Sequence, residues 1–259
     1  MKFLRRLFWD ERTKLAVALR NGDYFAFYKA SDEFKSDPAI VRTAVCLNGY
    51  TLGDASSNLR ADKEIVRLAV MQVGGAFRYA SDSLRADRGF VLEMIARRPD
   101  ALEFASADLK ADRYVVLTAT AVWPGCIKFA ADHLKADKDF LQRVILNIQE
   151  NDEGRKYSCE LFDCIHKSLL CDRDFMIFAV SKDGAALSYA SENLKSDKQV
   201  VMAAVSLYGE SLGYASEAMQ RDRDVALAAI RNSCSARDYV PRDVPWYDEA
   251  CKLDSRYPR

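Results

Sequence analysis

The sequence predicts an all-α fold, a right-handed superhelical solenoid of about nine two-helix units with a 25-residue period. Two observations carry this. Aspartates recur at fixed spacing along the chain, and the apolar residues after each aspartate follow helical periodicity.

The register runs Asp37, Asp62, Asp87, Asp112 and Asp137, then Asp172, Asp197 and Asp222. Each step is twenty-five residues except that from Asp137 to Asp172, which carries ten more. Asp10, closing L-F-W-D, reads as a divergent first copy twenty-seven residues before Asp37. After Asp62 the apolar set Ile65, Val66, Ala69, Val70 and Val73 forms one stripe of a helix. Phe140, Leu141, Val144, Ile145 and Ile148, and Val200, Val201, Ala204, Val205 and Tyr208, repeat that stripe. In later units it widens (Phe175 to Val180), as expected of a helix sandwiched between two neighbours.

A turn follows each long helix at Gly49, Gly74–Gly75, Gly125, Gly184 and Gly209, with Arg98–Pro99 in one unit. Glycine there is expected to take the left-handed backbone angle that closes a helix. A second, shorter segment carries Phe77, Ala80 and Leu84, or Leu187, Ala190 and Leu194, and its brevity suits a 3₁₀-like piece. The alanine of Y-A-S (Ala80, Ala190, Ala215, with Ala105 in F-A-S) is expected to let two helix backbones approach. Neither helix can bury its stripe alone, so each unit must stack on the next.

The expected organisation is a divergent capping unit over residues 1–36, a first repeat block over 37–146, an insertion over 147–158, a second block over 159–232, and a C-terminal cap and tail over 233–259. Phe3 to Trp9 reads as part of the first cap, and Trp246 and Tyr247 are expected to pack on the last unit. In repeat arrays an insertion is often on the binding face, although a lengthened surface loop is also cheap.

The pattern L-[RK]-[AS]-D-[KR] through A-V and G to L-x-Y-A-S resembles a bacterial helical repeat family of unknown function, over roughly Asp10 to Asn232. The stretch Ser36 to Asn48 is also similar to the leucine-rich repeat variant, whose units pair an α-helix with a 3₁₀ helix. Proteins of intracellular bacteria carry the first repeat, some of them injected into host cells. The resemblance implies no catalytic residues.

Bulk properties agree with a binding module. The 38 basic and 38 acidic side chains cancel, so the general electrostatic footprint of a nucleic-acid binder is missing. Seven cysteines follow no disulfide spacing, and no apolar run is long enough for a membrane span. These features point to a soluble cytoplasmic protein with no transmembrane segment and no cofactor, and the resemblance implies that the cytoplasm is that of a bacterium, or of a host cell after delivery.

Asp37, Asp62, Asp87, Asp112, Asp137, Asp172, Asp197 and Asp222 read as helix N-caps, each with free backbone N–H groups just downstream. A basic residue usually follows, as at Lys63, Arg88, Arg113, Lys138, Arg173, Lys198 and Arg223, and neutralises that edge. The serines Ser81, Ser106, Ser191 and Ser216 have no histidine in register, so local backbone bonding near the end of a short helix is expected, not nucleophilic catalysis.

Cys159, Cys164, His166 and Cys171 form the weak metal candidate, with gaps of four, one and four residues. Aligning units places Cys171 with Ala61 and Ala136, and Cys164 with Tyr189, so both read as packing positions. No metal site is therefore expected, and His133 falls at a solvated position. Glu150, Asp152 and Glu153 in the insertion could act as acid and base, but nothing fixes their geometry.

The leading functional expectation is a non-catalytic scaffold that binds a protein or peptide through its concave face. One variable column (Arg78, Glu103, Lys128 and Asp163) runs beside an aromatic one (Tyr79, Phe104, Phe129, Tyr189 and Tyr214). Alternating charge suits a protein or peptide better than a uniform polyanion. The alternatives are an enzyme with its site near 147–171, around His166, and a nucleic-acid-binding helical repeat, against which the mixed column speaks.

Overall fold

The computed structural model describes residues 11–149 and 158–248, which form helices and turns with no strand among them. The chain divides into two compact units, Met1–Ala131 and Asp132–Arg259, built from the same brick. The N-terminal Phe3–Trp9 segment, Asp10, and Glu150, Asp152 and Glu153 lie outside the described residues.

One brick consists of a ten-residue α-helix, a six-residue 3₁₀ helix and a single α-turn. In the first unit, Lys63–Gln72, Gly74–Tyr79 and Asp82–Arg85 are such a set. Lys198–Leu207, Gly209–Tyr214 and Glu217–Gln220 are its counterpart in the second. The second helix expected from sequence is thus two pieces. Between them Ala80, at φ −62° and ψ 154°, is extended, and Ala190 and Ala215 match it. The alanine is therefore a buried link between the two pieces and not a residue within a helix.

That link has a physical cause. The next residue's N–H turns away from its own brick and donates to the last carbonyl of the preceding short helix. Ser81 N–H reaches Arg60 O at 2.8 Å, Ser106 reaches Arg85 at 2.9 Å, and Ser216 reaches Lys195 at 2.9 Å. An extended residue would otherwise carry an unsatisfied buried donor, which is costly. The serines accordingly begin the short helix where the sequence suggested its end. Ser81 and Ser106 also accept from Leu84 and Leu109 N–H through their hydroxyls, both at 3.4 Å.

Within each unit the long helices stack on one another, and the 3₁₀ helices form a second stack beside them. The core lies between these two stacks. From the long helices come Ile65, Val66, Ala69 and Val70 and their equivalents. From the other side comes one fully buried side chain per brick: Phe27, Leu52, Phe77, Leu102 and Ile127 in the first unit, Phe162, Leu187 and Leu212 in the second. Phe162 returns to register after the insertion. Burying such a side chain contributes about 1.5–3 kcal/mol, and none of these helices could do so without its neighbours.

The turn glycines do not close helices through left-handed angles. Gly22, at φ 85°, alone has positive φ among the described residues. Except after Arg88–Ile95, the long helices whose C-caps are described from Pro38 onward end instead by extension of the following residue, as at Asn48 (φ −148°, ψ 110°). Glycine is required because its α-carbon lies against the next brick. A Cβ on Gly49 would overlap the Ala69 carbonyl oxygen, and one on Gly184 would lie 2.8 Å from that of Ala204. In the brick following Trp123 the first 3₁₀ position is Pro124, so Gly125 is one place out of register.

Every aspartate of the register starts a long helix. Asp62 Oδ1 accepts from Glu64 N–H at 2.9 Å and Ile65 N–H at 3.0 Å, and Asp137 Oδ1 accepts from Phe140 N–H at 2.9 Å. Each such cap is worth about 1 kcal/mol. Lys63, Arg88, Lys138, Arg173 and Lys198 do not neutralise their own aspartate, however. They reach forward to the next one, so Lys63 Nζ is 2.7 Å from Asp87, Arg88 Nε 2.8 Å from Asp112, and Lys198 Nζ 2.8 Å from Asp222. Lys138 spans the long step to Asp172 at 2.8 Å. Asp62 breaks the ladder, because the residue one brick upstream is Pro38.

Candidate functional site

The side chains singled out for binding lie on the stacked 3₁₀ helices. In the first unit Tyr79 ends Gly74–Tyr79, Phe104 ends Pro99–Phe104 and Phe129 ends Pro124–Phe129. Arg78, Glu103 and Lys128 precede them and are exposed, whereas the three aromatic rings are half-buried. In the second unit Tyr189 is half-buried and Tyr214 exposed, while Asp163, also exposed, follows helix Ser158–Phe162.

The burial of the rings has a repeat-level origin that sequence reasoning missed. The rings of Tyr79, Phe104 and Tyr239 lean over the residue twenty-six positions earlier. Tyr79 covers Gly53, where a Cβ would meet the ring at 2.9 Å, and Tyr239 covers Gly213 at 2.6 Å. Where that earlier residue is an arginine it stacks instead: the Arg78 guanidinium lies 5.7 Å from the Phe104 ring centre and 5.6 Å from that of Tyr79. Lys128 sits 4.7 Å from Trp123 and 4.8 Å from Phe129. Tyr50 and Tyr79 meet edge to face at 6.5 Å, and Phe162 stacks on Tyr189 at 5.4 Å. The signal was available as small or basic residues paired with aromatics at a separation of 26. The outcome is two cations, Arg78 and Lys128, held against ring faces on either side of Glu103 in the column, with their polar ends in water.

Around His166 the geometry is that of a helix start. This histidine occupies the serine position of its brick, since Ser191 follows it by twenty-five residues, and its N–H donates to Lys135 O at 3.0 Å. Its Nδ1 accepts from Ser168 N–H at 3.3 Å and lies 2.7 Å from Ser168 Oγ. The imidazole is therefore an N-cap of Lys167–Leu170. Cys164 is half-buried. Cys171 is exposed, because the position it shares with Ala61 and Ala136 is a surface turn and not the packing position expected. Among the described residues no group of three or more His, Cys, Asp or Glu side chains could hold a metal ion. The side chain of Cys159 lies outside them. His133 is exposed.

Toward the C-terminus Val240 and Val244 are buried, while Trp246 and Tyr247 are half-buried. Among the described residues no helix is long and apolar enough to cross a membrane.

The electrostatics of the described surface are dominated by the aspartate ladder. Asp87, Asp112, Asp172 and Asp197 are held below the ordinary carboxylate range, first by the hydrogen bond from the upstream lysine or arginine. For Asp37 and Asp222 burial pushes upward, but backbone N–H groups with Arg12 or Lys198 outweigh it.

Comparison with known families matches the model of a domain of unknown function, DUF4116, to residues 18–60, 62–110, 156–195, 172–220 and 197–244. These stretches together cover more than half of the chain. No curated protein and no solved structure matches it.

Proposed function

Because the chain belongs to the DUF4116 family of repeated domains of unknown function, we propose that it is a non-catalytic helical-repeat scaffold that binds a peptide or protein along the face of its stacked 3₁₀ helices. One observation carries this reading: on consecutive bricks Arg78, Glu103 and Lys128 project at one register position, each beside a half-exposed ring. Rigid aromatics interleaved with charges of both signs recognise extended polypeptide well, because the rings supply contact area and the charges fix register.

The fixed spacing on both sides of the insertion supports an array of about nine units, with blocks 37–146 and 159–232. The resemblance to proteins of intracellular bacteria supports a cytoplasmic site of action, in the bacterium or in a host cell after delivery.

Selection of a phage-displayed peptide library against the full chain tests the binding role. Enriched peptides should bind the wild-type protein and lose at least about tenfold in affinity on Tyr79→Ala or Phe104→Ala, the scale of a modest hot spot. Peptides that bind both variants as well as wild type, or a failure to enrich any, would overturn it.

A further inference from the structure

The short helices Ser57–Arg60 and Asp82–Arg85, with the end of Gly74–Tyr79, surround a surface pocket of about 310 Å³. Its lining includes three arginines, Arg60, Arg78 and Arg85, with Ser57, Ser81 and a single carboxylate, Asp82. Asp82 pairs with a terminal nitrogen of Arg85. Among the described residues neither Arg60 nor Arg78 pairs with a carboxylate. The Nε atoms of Arg60 and Arg85 are buried and make no hydrogen bond. A buried donor left unmade is costly, so the protein alone leaves this cluster unsatisfied.

The repeat makes the coincidence visible. At the register position of Arg60 and Arg85 the other bricks carry Lys35, Lys110, Lys135, Leu170, Lys195 and Gln220. Lys35, Lys135 and Lys195 each pair with a carboxylate, Asp54, Asp132 and Glu192 respectively. At the position of Arg78 stand Gly53, Glu103, Lys128, Asp163, Ser188 and Gly213. Three arginines therefore converge at this one junction of bricks, and stacking requirements common to all bricks do not account for them.

Two guanidiniums without a counter-ion, plus a third with an orphaned N–H, line one small space. A carboxylate offers one charge and one edge, and Asp82 already fills that role. A tetrahedral dianion offers acceptors in three directions and suits forked donors. We propose that this pocket binds a phosphoryl group, carried as a phosphorylated side chain by a peptide lying on the adjoining 3₁₀ face. The peptide as carrier rests on the proposed function, whereas the pocket does not.

The full chain, labelled with ¹⁵N, would be titrated separately with inorganic phosphate, N-acetyl-phosphoserine amide and N-acetyl-serine amide while arginine Nε–Hε signals are followed. Saturable shifts at Arg60, Arg78 and Arg85 are expected with both phosphoryl probes and none with the serine amide. Arg60→Gln or Arg78→Gln should weaken both at least about tenfold, the loss of one charge-assisted hydrogen bond, with the backbone amide spectrum unchanged. Arg20→Gln, on a separate helix, should leave them as they are. Shifts that never saturate, or that persist unchanged in Arg60→Gln, overturn the pocket. Saturation by phosphate but not by the phosphoserine amide overturns the peptide-borne source, and since phosphate needs no peptide, that result is distinct from failure of the scaffold reading.

Discussion

Arg173 Nε lies 2.6 Å from Asp197 Oδ2, while the other oxygen of that carboxylate, Oδ1, accepts the N–H groups of Gln199 and Val200. One side chain thus caps its own helix and receives the cation that starts the previous one. The same double use occurs at Asp37, Asp87, Asp112 and Asp222.

A double-mutant cycle on this pair separates the two roles. Arg173→Gln and Asp197→Asn should each lower the urea midpoint only slightly and couple weakly, because both side chains are partly exposed and asparagine still caps. Asp197→Ala removes the cap as well and should cost about 1 kcal/mol more. Urea unfolding of the four variants measures this.

Stability should fall in acid. The ladder carboxylates have folded pKa values below their unfolded ones, so their contribution is complete above the ordinary carboxylate range, near ~3.9, and is lost as pH falls through the lower folded values. Urea midpoints should be level from about pH 5 to 7 and decline below about pH 4. Added salt should lessen the decline, since these are surface pairs.

Two glycines should respond oppositely to alanine. At Gly209 a Cβ would overlap the Ala229 carbonyl oxygen and come within 2.9 Å of Ser233 N, so Gly209→Ala should destabilise by about 1–3 kcal/mol. At Gly89, inside helix Arg88–Ile95, the nearest atom to a Cβ is Asp87 Oδ1 at 3.5 Å. Gly89→Ala should therefore stabilise by up to about 1 kcal/mol. Thermal melts of both variants decide the matter.

Tyr208 should titrate apart from ordinary tyrosines. Its hydroxyl donates to Glu210 Oε2 at 2.6 Å, and that bond, with some burial and the glutamate charge, pushes its pKa up to about 12. The bond's contribution is complete below the ordinary tyrosine pKa and is lost as pH rises through about 12. In ¹³Cζ-tyrosine spectra, Glu210→Gln should move this titration down toward ~10.

The sequence by itself determined the repeat, its period and its helical content. Aspartate before a periodic apolar run can satisfy free N–H groups whatever surrounds it, and a stripe such as Ile65, Val66, Ala69 and Val70 declares its buried face locally. What lies between bricks was decided by tertiary structure alone. That Ala80 is extended, that Gly49 serves close approach, that Lys63 answers Asp87 and that Tyr79 roofs Gly53 all depend on atoms some twenty to twenty-six residues away. The convergence of Arg60, Arg78 and Arg85 is of the same kind, since a linear sequence shows which side chains recur but not which of them meet when one brick settles on the next.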